Sequence, residues 1–131
     1  MTPAAAPRVA VVGGGTMGAG IAHSFLDAGA PVVLVEADRA AADRAHARVA
    51  ESLRRAEARK KLTDTAAAAL ARLHCSDRIG EAHDADVVIE AVPEDVDLSP
   101  YAARQYSWDT RYFKETNGPI VRGRCLCPRL P

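Results

Sequence analysis

The sequence predicts an α/β protein, the first half of a doubly wound parallel sheet, and three observations predict it. A β-branched run, Val9 to Val12, feeds directly into Gly13-x-Gly15-x-x-Gly18 and then into a helical pattern. A second apolar run follows that helix and ends on an acid, Glu36, 21 residues beyond Gly15. A third, Ala85 to Val92, reads as a buried strand that arrives after a long helical stretch and is stopped by Pro93, which cannot continue a ladder. Strands alternating with helices in this way pair in parallel. The last strand is then expected beside the first, on the far side from the second.

Each element has a local reason. Residues 1–7 are small and contain proline, so a disordered lead-in is expected. Arg8 to Val12 reads as a strand buried on both faces. The glycines that follow form a phosphate-binding turn. Gly13 permits the sharp reversal, Gly15 lets an anion approach the backbone N–H groups, and Gly18 lets the helix lie close to the strand. The positive end of the helix faces the anion. That helix is expected from Thr16 to Ala28, packing through Met17, Ile21, Phe25 and Ala28, with Gly29 at its C-terminal cap. His23 on this helix reads as a packed or surface side chain.

Val32 to Glu36 is the second strand, and its terminal carboxylate stands where ribose hydroxyls can donate to it. Glu36 would also repel a 2′-phosphate, which favours NAD over NADP. Asp38 is a good N-cap for a long helix reaching Lys61, with an apolar stripe of Ala42, Ala45, Val49, Leu53 and Ala56. Its other faces are charged and read as solvated, with pairs such as Glu51 and Arg55; Ser52, Arg59, Lys60 and Lys61 make a basic, hydroxyl-bearing end suited to a phosphorylated ligand. A second helix is expected from Thr63-Asp64 through Leu73, and Leu73 to Ser76 as a short strand.

Composition bounds the function. A chain of 131 residues accommodates one modest domain, too little for a cofactor domain and a substrate domain together. Its net charge of zero gives no case for nucleic acid or a membrane surface, and no apolar run is long enough to span a bilayer. Three cysteines and no signal-like start point to the cytoplasm. The zero conceals an asymmetry. Residues 1–98 carry 11 Lys/Arg against 15 Asp/Glu, whereas residues 99–131 carry 6 against 2.

Val-Val-Gly-Gly-Gly-Thr-Met-Gly-Ala-Gly-Ile-Ala-His (11–23), Val-Val-Leu-Val-Glu (32–36), Glu-Ser-Leu-Arg-Arg (51–55) and Asp-Ala-Asp-Val-Val-Ile-Glu-Ala-Val-Pro-Glu (84–94) together resemble the NAD-binding domain of the 3-hydroxyacyl-CoA dehydrogenases. The resemblance runs from Val9 to Leu98 and implies a Rossmann-like domain over residues 8–98, with a long helical pair inserted after the second strand. It implies NAD as cofactor and an acyl-CoA as substrate, with hydride transfer at the 3-hydroxyl. Cofactor contacts carry over to Gly13, Gly14, Gly15, Thr16, Met17, Gly18, Glu36, Ala91, Val92 and Glu94, and CoA contacts to Ser52 and to Arg59 or Lys60.

The family's chemistry is carried by a general-base histidine, its orienting glutamate and an Asn-Thr-Ser-Ser segment, and none of these motifs follows Leu98. No catalytic residue is therefore assigned, and the alternative reading is a non-catalytic NAD-binding module or an inactive fragment. Residues 99–131 hold all three tyrosines, the only tryptophan and four of the eight prolines. So abrupt a change of composition is expected of an out-of-frame or disordered tail. Cys125-x-Cys127 lacks the ligands for a metal site, and none is expected. The third apolar run, left without a further strand beside it, is expected to be an exposed edge that favours self-association.

Overall fold

The computed structural model describes residues 5–91. Four parallel strands, β1 (Val9–Val12), β2 (Val32–Val35), β3 (Leu73–Ser76) and β4 (Val87–Glu90), form a sheet in the order β3-β2-β1-β4. The last strand lies beside the first and away from the second, as the crossover argument requires. β1 is central: Val9 pairs with Val32 on one side and Val87 on the other, and the register continues to Val12 opposite Val35 and Glu90. The expectations for residues 1–4 and for the tail beyond residue 91, including Val92, Glu94 and Cys125-x-Cys127, lie outside the described residues.

Three helices, α1 (Thr16–Asp27), α2 (Arg39–Ala58) and α3 (Ala66–Leu70), connect the strands. The main core lies between Val9, Val11, Val32 and Leu34 of the sheet, Ala19, Ala22 and Leu26 of α1, and Ala42, Ala45, Val49 and Leu53 of α2. A smaller cluster of Ala10, Val35, Ala82 and Ala85 covers the opposite face, the last two supplied by a 3₁₀ turn at Ile79–Ala82 and the loop after it.

Both long helices end in the same hydrogen-bond pattern. After α1, Gly29 N–H donates to Leu26 O at 3.1 Å and Ala30 N–H to Phe25 O at 2.9 Å, with Gly29 at φ +90°. After α2, Lys60 N–H donates to Glu57 O and Lys61 N–H to Ala56 O, both at 2.9 Å, with Lys60 at φ +55°. These are left-handed C-terminal caps. The second places a side-chain-bearing residue where glycine is at ease.

Four expectations are corrected. The buried face of α1 is Gly18, Ala19, Ala22 and Leu26; Ile21 and Phe25 pack against that core as expected, whereas Ala28 is exposed and Met17 is 72% exposed. Small residues let the helix approach the sheet more closely than the bulky stripe would. α2 stops at Ala58, short of Lys61, because Lys60 reverses the chain. α3 has only 5 residues, so the helical pair is one long helix and one short one; Thr65 caps the latter by accepting from Ala68 N–H at 3.1 Å. β4 is half-buried rather than buried, having a described neighbour on one side only.

Two polar devices fasten the ends of the chain described. Arg8 closes the base of the β1/β4 pair: its backbone N–H donates to Asp86 Oδ2 at 2.8 Å, and its guanidinium pairs with Asp86 at 3.3 Å and Asp84 at 3.5 Å. The guanidinium and the backbone donor hold the Asp86 carboxyl below its usual range. Glu81 accepts from His74 at 2.5 Å and from Arg78 at 2.6 Å, and these bonds pull its carboxyl down to about 2.

Candidate functional site

The site forms where β1 and β2 end and α1 begins. Gly13 N–H continues the ladder by donating to Val35 O at 2.8 Å, and Gly13 then turns at φ +96°, a conformation that favours glycine. The turn is crowded on its inner side and open on its outer side. A Cβ on Gly18 would overlap the Gly13 carbonyl, and one on Gly14 would overlap the Ala45 methyl and reach within 2.8 Å of Leu34. A Cβ on Gly15 would meet nothing within 4 Å. Gly15 is therefore small for the sake of something other than the protein's own packing, which is what close approach of a ligand requires.

Donors face that open side. Gly15 is the N-cap of α1 and has no side chain to satisfy the first turn, and no side-chain cap bond is formed there. The N-terminal N–H groups of the helix have no intrahelical acceptors, so an anion is their natural partner. Thr16 and Met17 are exposed beside them. Ala91 is brought to the same corner: its N–H donates to Val12 O at 2.8 Å, and its methyl stands 3.5 Å from where a Gly18 Cβ would be.

Glu36 leaves the sheet directly after β2, and its carboxylate folds back over the turn. Oε1 accepts from Gly14 N–H at 2.5 Å and Oε2 from Ala37 N–H at 3.4 Å. Each carboxylate oxygen keeps lone pairs for further donors such as a ribose diol. Asp38 then accepts from Ala41 N–H at 2.7 Å and starts α2. The donors of the turn and the acceptor at Glu36 thus fit the two ends of a nucleoside diphosphate, an anion and a diol.

The sequence reading missed Arg48. Its Nη1 donates to the Gly14 carbonyl across 34 positions of chain. On a helix dense in charge an arginine reads as solvated, and no local signal distinguishes this one.

The residues read as a phosphate-holding end of α2 are not part of this corner. Ser52 lies two turns beyond Ala45, the α2 residue that abuts Gly14, about 10 Å along the helix at 1.5 Å per residue. Its Oγ is 2.7 Å from His23 Nδ1, so His23 packs against α2 and ties the two long helices together. Arg59 and Lys60 form the C-terminal cap of α2 and are exposed. A separate shallow cleft of about 410 Å³ lies at the outer edge of the sheet, between Arg39, Asp43 and His46 of α2 and Leu73 to Cys75 of β3. Burial there pushes the Cys75 thiol up to about 11. Among the described residues no helix is long and apolar enough to cross a membrane.

Comparison with known proteins agrees with this geometry. The family model described as the NAD-binding domain of 3-hydroxyacyl-CoA dehydrogenase matches residues 8–103. A protein of Caenorhabditis elegans described as a probable 3-hydroxyacyl-CoA dehydrogenase is 37% identical over 99 residues, covering 70% of this chain and 32% of that protein. A probable 3-hydroxybutyryl-CoA dehydrogenase of Bacillus subtilis is 34% identical over 90 residues, covering 68% of this chain and 31% of its own length. The chain thus spans about a third of the length of these relatives. Among solved structures, FadB2 of M. tuberculosis superposes with a TM-score of 0.79 at 29% identity, over 93% of this chain and 42% of that one. The (S)-3-hydroxybutyryl-CoA dehydrogenase of Ralstonia eutropha superposes with a TM-score of 0.70 at 35% identity, over 88% and 40%.

Proposed function

This chain belongs to the family of NAD-binding domains of the 3-hydroxyacyl-CoA dehydrogenases, and from that premise we propose that its glycine turn and Glu36 hold NAD for the oxidation of a 3-hydroxyacyl-CoA to the 3-oxoacyl-CoA. The observation that carries this reading is the juxtaposition at Gly14 and Gly15. Donors at the head of α1 open onto space, and the Glu36 carboxylate lies against the same turn. In the proposed complex the pyrophosphate rests on Gly13 to Gly18, with Thr16 and Met17 at its rim. The adenosine ribose donates to Glu36, and Ala91, Val92 and Glu94 line the approach to the nicotinamide. Bound NAD supplies the hydride acceptor. The chain's own residues supply position: Gly15 admits the anion, and Glu36 selects the unphosphorylated ribose.

Ser52, with Arg59 or Lys60, is proposed to meet the CoA, whose phosphates suit a basic, hydroxyl-bearing stretch. Residues 84–131 contain no histidine, so these residues supply no imidazole base. We expect the chain alone to bind cofactor without turnover, and incubation with NAD and 3-hydroxybutyryl-CoA should form no NADH. Cytoplasmic residence and association with a second copy through the outer edge of β4 complete the proposal. The edge pairing is read from a sedimentation experiment, in which the weight-average mass should rise with concentration.

A fluorescence titration of the purified chain with NADH tests the central claim. Saturable micromolar binding that is lost in Glu36→Ala and in Gly15→Val supports it. An absence of binding in the unsubstituted chain overturns it.

A further inference from the structure

We propose that Arg48 is a positioning residue of the phosphate turn: by holding the Gly14 carbonyl toward α2, it keeps the Gly15 N–H aimed at the bound anion. The inference rests on the cofactor reading above and adds to it a residue outside the glycine motif.

The argument begins with two adjacent peptide planes. A peptide plane is rigid, and in the trans form its C=O and N–H point in opposite directions. Among the described residues every peptide bond is trans. In the Gly13–Gly14 plane, Gly14 N–H donates to Glu36 Oε1 at 2.5 Å. In the next plane, the Gly14 carbonyl accepts from Arg48 Nη1. Fixing that carbonyl toward α2 fixes the Gly15 N–H in the opposite direction, toward the open side where a Gly15 Cβ would meet nothing. Among the described residues no acceptor takes that N–H. The two tethers therefore set both planes of a turn whose glycines would otherwise leave them free to rotate.

The placement of Arg48 follows from packing. Ala45 abuts Gly14 so closely that Gly14 cannot carry a side chain. Arg48 lies one turn further along α2 on the same face, and helical side chains lean back toward the N-terminus, which carries the guanidinium to the Gly14 carbonyl. Arginine suits the task because its donors are fixed in a planar fork and remain charged at any physiological pH. A turn that samples the flipped plane presents a carbonyl to the anion instead of a donor, and its apparent affinity falls with the fraction that is competent.

The test compares the full chain with Arg48→Met and Arg48→Lys. Arg48 is exposed on the helix surface, and both replacements are strong helix formers. Amide spectra of the protein without ligand follow the Gly15 resonance, and the same samples are titrated with inorganic pyrophosphate, NADH and adenosine. The expected result is a shifted or broadened Gly15 resonance in Arg48→Met. Pyrophosphate and NADH should bind roughly tenfold more weakly there, adenosine should bind as in the parent chain, and lysine should recover most of the loss. A Gly15 resonance unmoved by Arg48→Met overturns the inference, as does an equal loss for adenosine. If the parent chain fails to bind NADH, the cofactor reading falls, and the ligand-free Gly15 resonance still decides the role of Arg48.

Discussion

Gly18 and Gly15 belong to one motif, yet replacing each with alanine should have opposite consequences. A Cβ on Gly18 lands on the Gly13 carbonyl, and both partners are backbone, so no rotamer change relieves the overlap. Relief requires α1 to lift from the sheet, which loosens Ala22 and Leu26 from the core they share with Val9 and Val11. Overpacking of this kind costs about 1–3 kcal/mol. At roughly 4–8 °C per kcal/mol for a domain of this size, Gly18→Ala should melt roughly 5–20 °C below the parent chain. Gly15 is at φ −68° and ψ −163°, an extended conformation any residue adopts, with nothing within 4 Å of an added Cβ. Alanine is the poorer N-cap by about 0.5–1 kcal/mol, and the reduced freedom of its unfolded chain offsets this by about 0.4–1 kcal/mol. Gly15→Ala should therefore melt within a few degrees of the parent while binding NADH about tenfold or more weakly, since its methyl occupies the space the anion needs. Thermal unfolding by circular dichroism and NADH titration of the three proteins in parallel provide the assay. Equal melting of Gly18→Ala and the parent would refute the packing argument. Unchanged NADH affinity in Gly15→Ala would refute the cradle.

Three further outcomes can be measured directly. Lys60→Gly removes the cost of a left-handed residue bearing a Cβ and should raise stability by about 1 kcal/mol, read as a higher urea midpoint at unchanged slope. Glu81 has its carboxyl lowered from 4.5 to about 2 by its hydrogen bonds to His74, Arg78 and Ser76. A lowered folded-state value stabilises above the unfolded value, and that contribution is lost as pH falls from 4.5 toward 2. Glu81→Gln should accordingly flatten the decline of melting temperature over this window, and an unaltered decline would count against the assigned bonds. Cys75 is 7% exposed with its thiol pushed up to about 11, so roughly one thiol in a thousand is ionised at pH 8. Peptide mapping after iodoacetamide should find Cys75 modified only when denaturant is present.

How much of this was legible depends on whether the signal was local. β1, the turn and β2 are written in contiguous residues, and so is the Asp38 cap; each appears where the sequence predicts it. On α1 apolar bulk is a partial guide: Ile21 and Phe25 pack against the core, but Met17 is exposed, and Gly18, Ala19 and Ala22 are buried because they are small. The end of α2 was misread because its reversing residue is Lys60. The same cap after α1 was legible because Gly29 stands in it. Arg48 and the His23–Ser52 contact join positions 34 and 29 apart. Nothing in the vicinity of either residue announces its partner, since the packing of α2 over α1 and the sheet creates both contacts.

The position of β1 at the centre of the sheet bears on how the chain assembles as it is made. One edge of β1 is satisfied early, when β2 emerges behind α1. The other waits for β4, and the latch between Arg8 and Asp86 joins positions 78 apart. At translation rates of about 5–20 residues per second, roughly 3 to 11 seconds separate the appearance of Val35 from that of Glu90. During that interval the nascent chain carries a bare, β-branched strand edge at its core. Pairing of this span is slow because a long loop must close before any contact rewards it. Yield in the cell should consequently depend on how long that edge stays bare on the ribosome, and slower synthesis between Val35 and Glu90 should lower it.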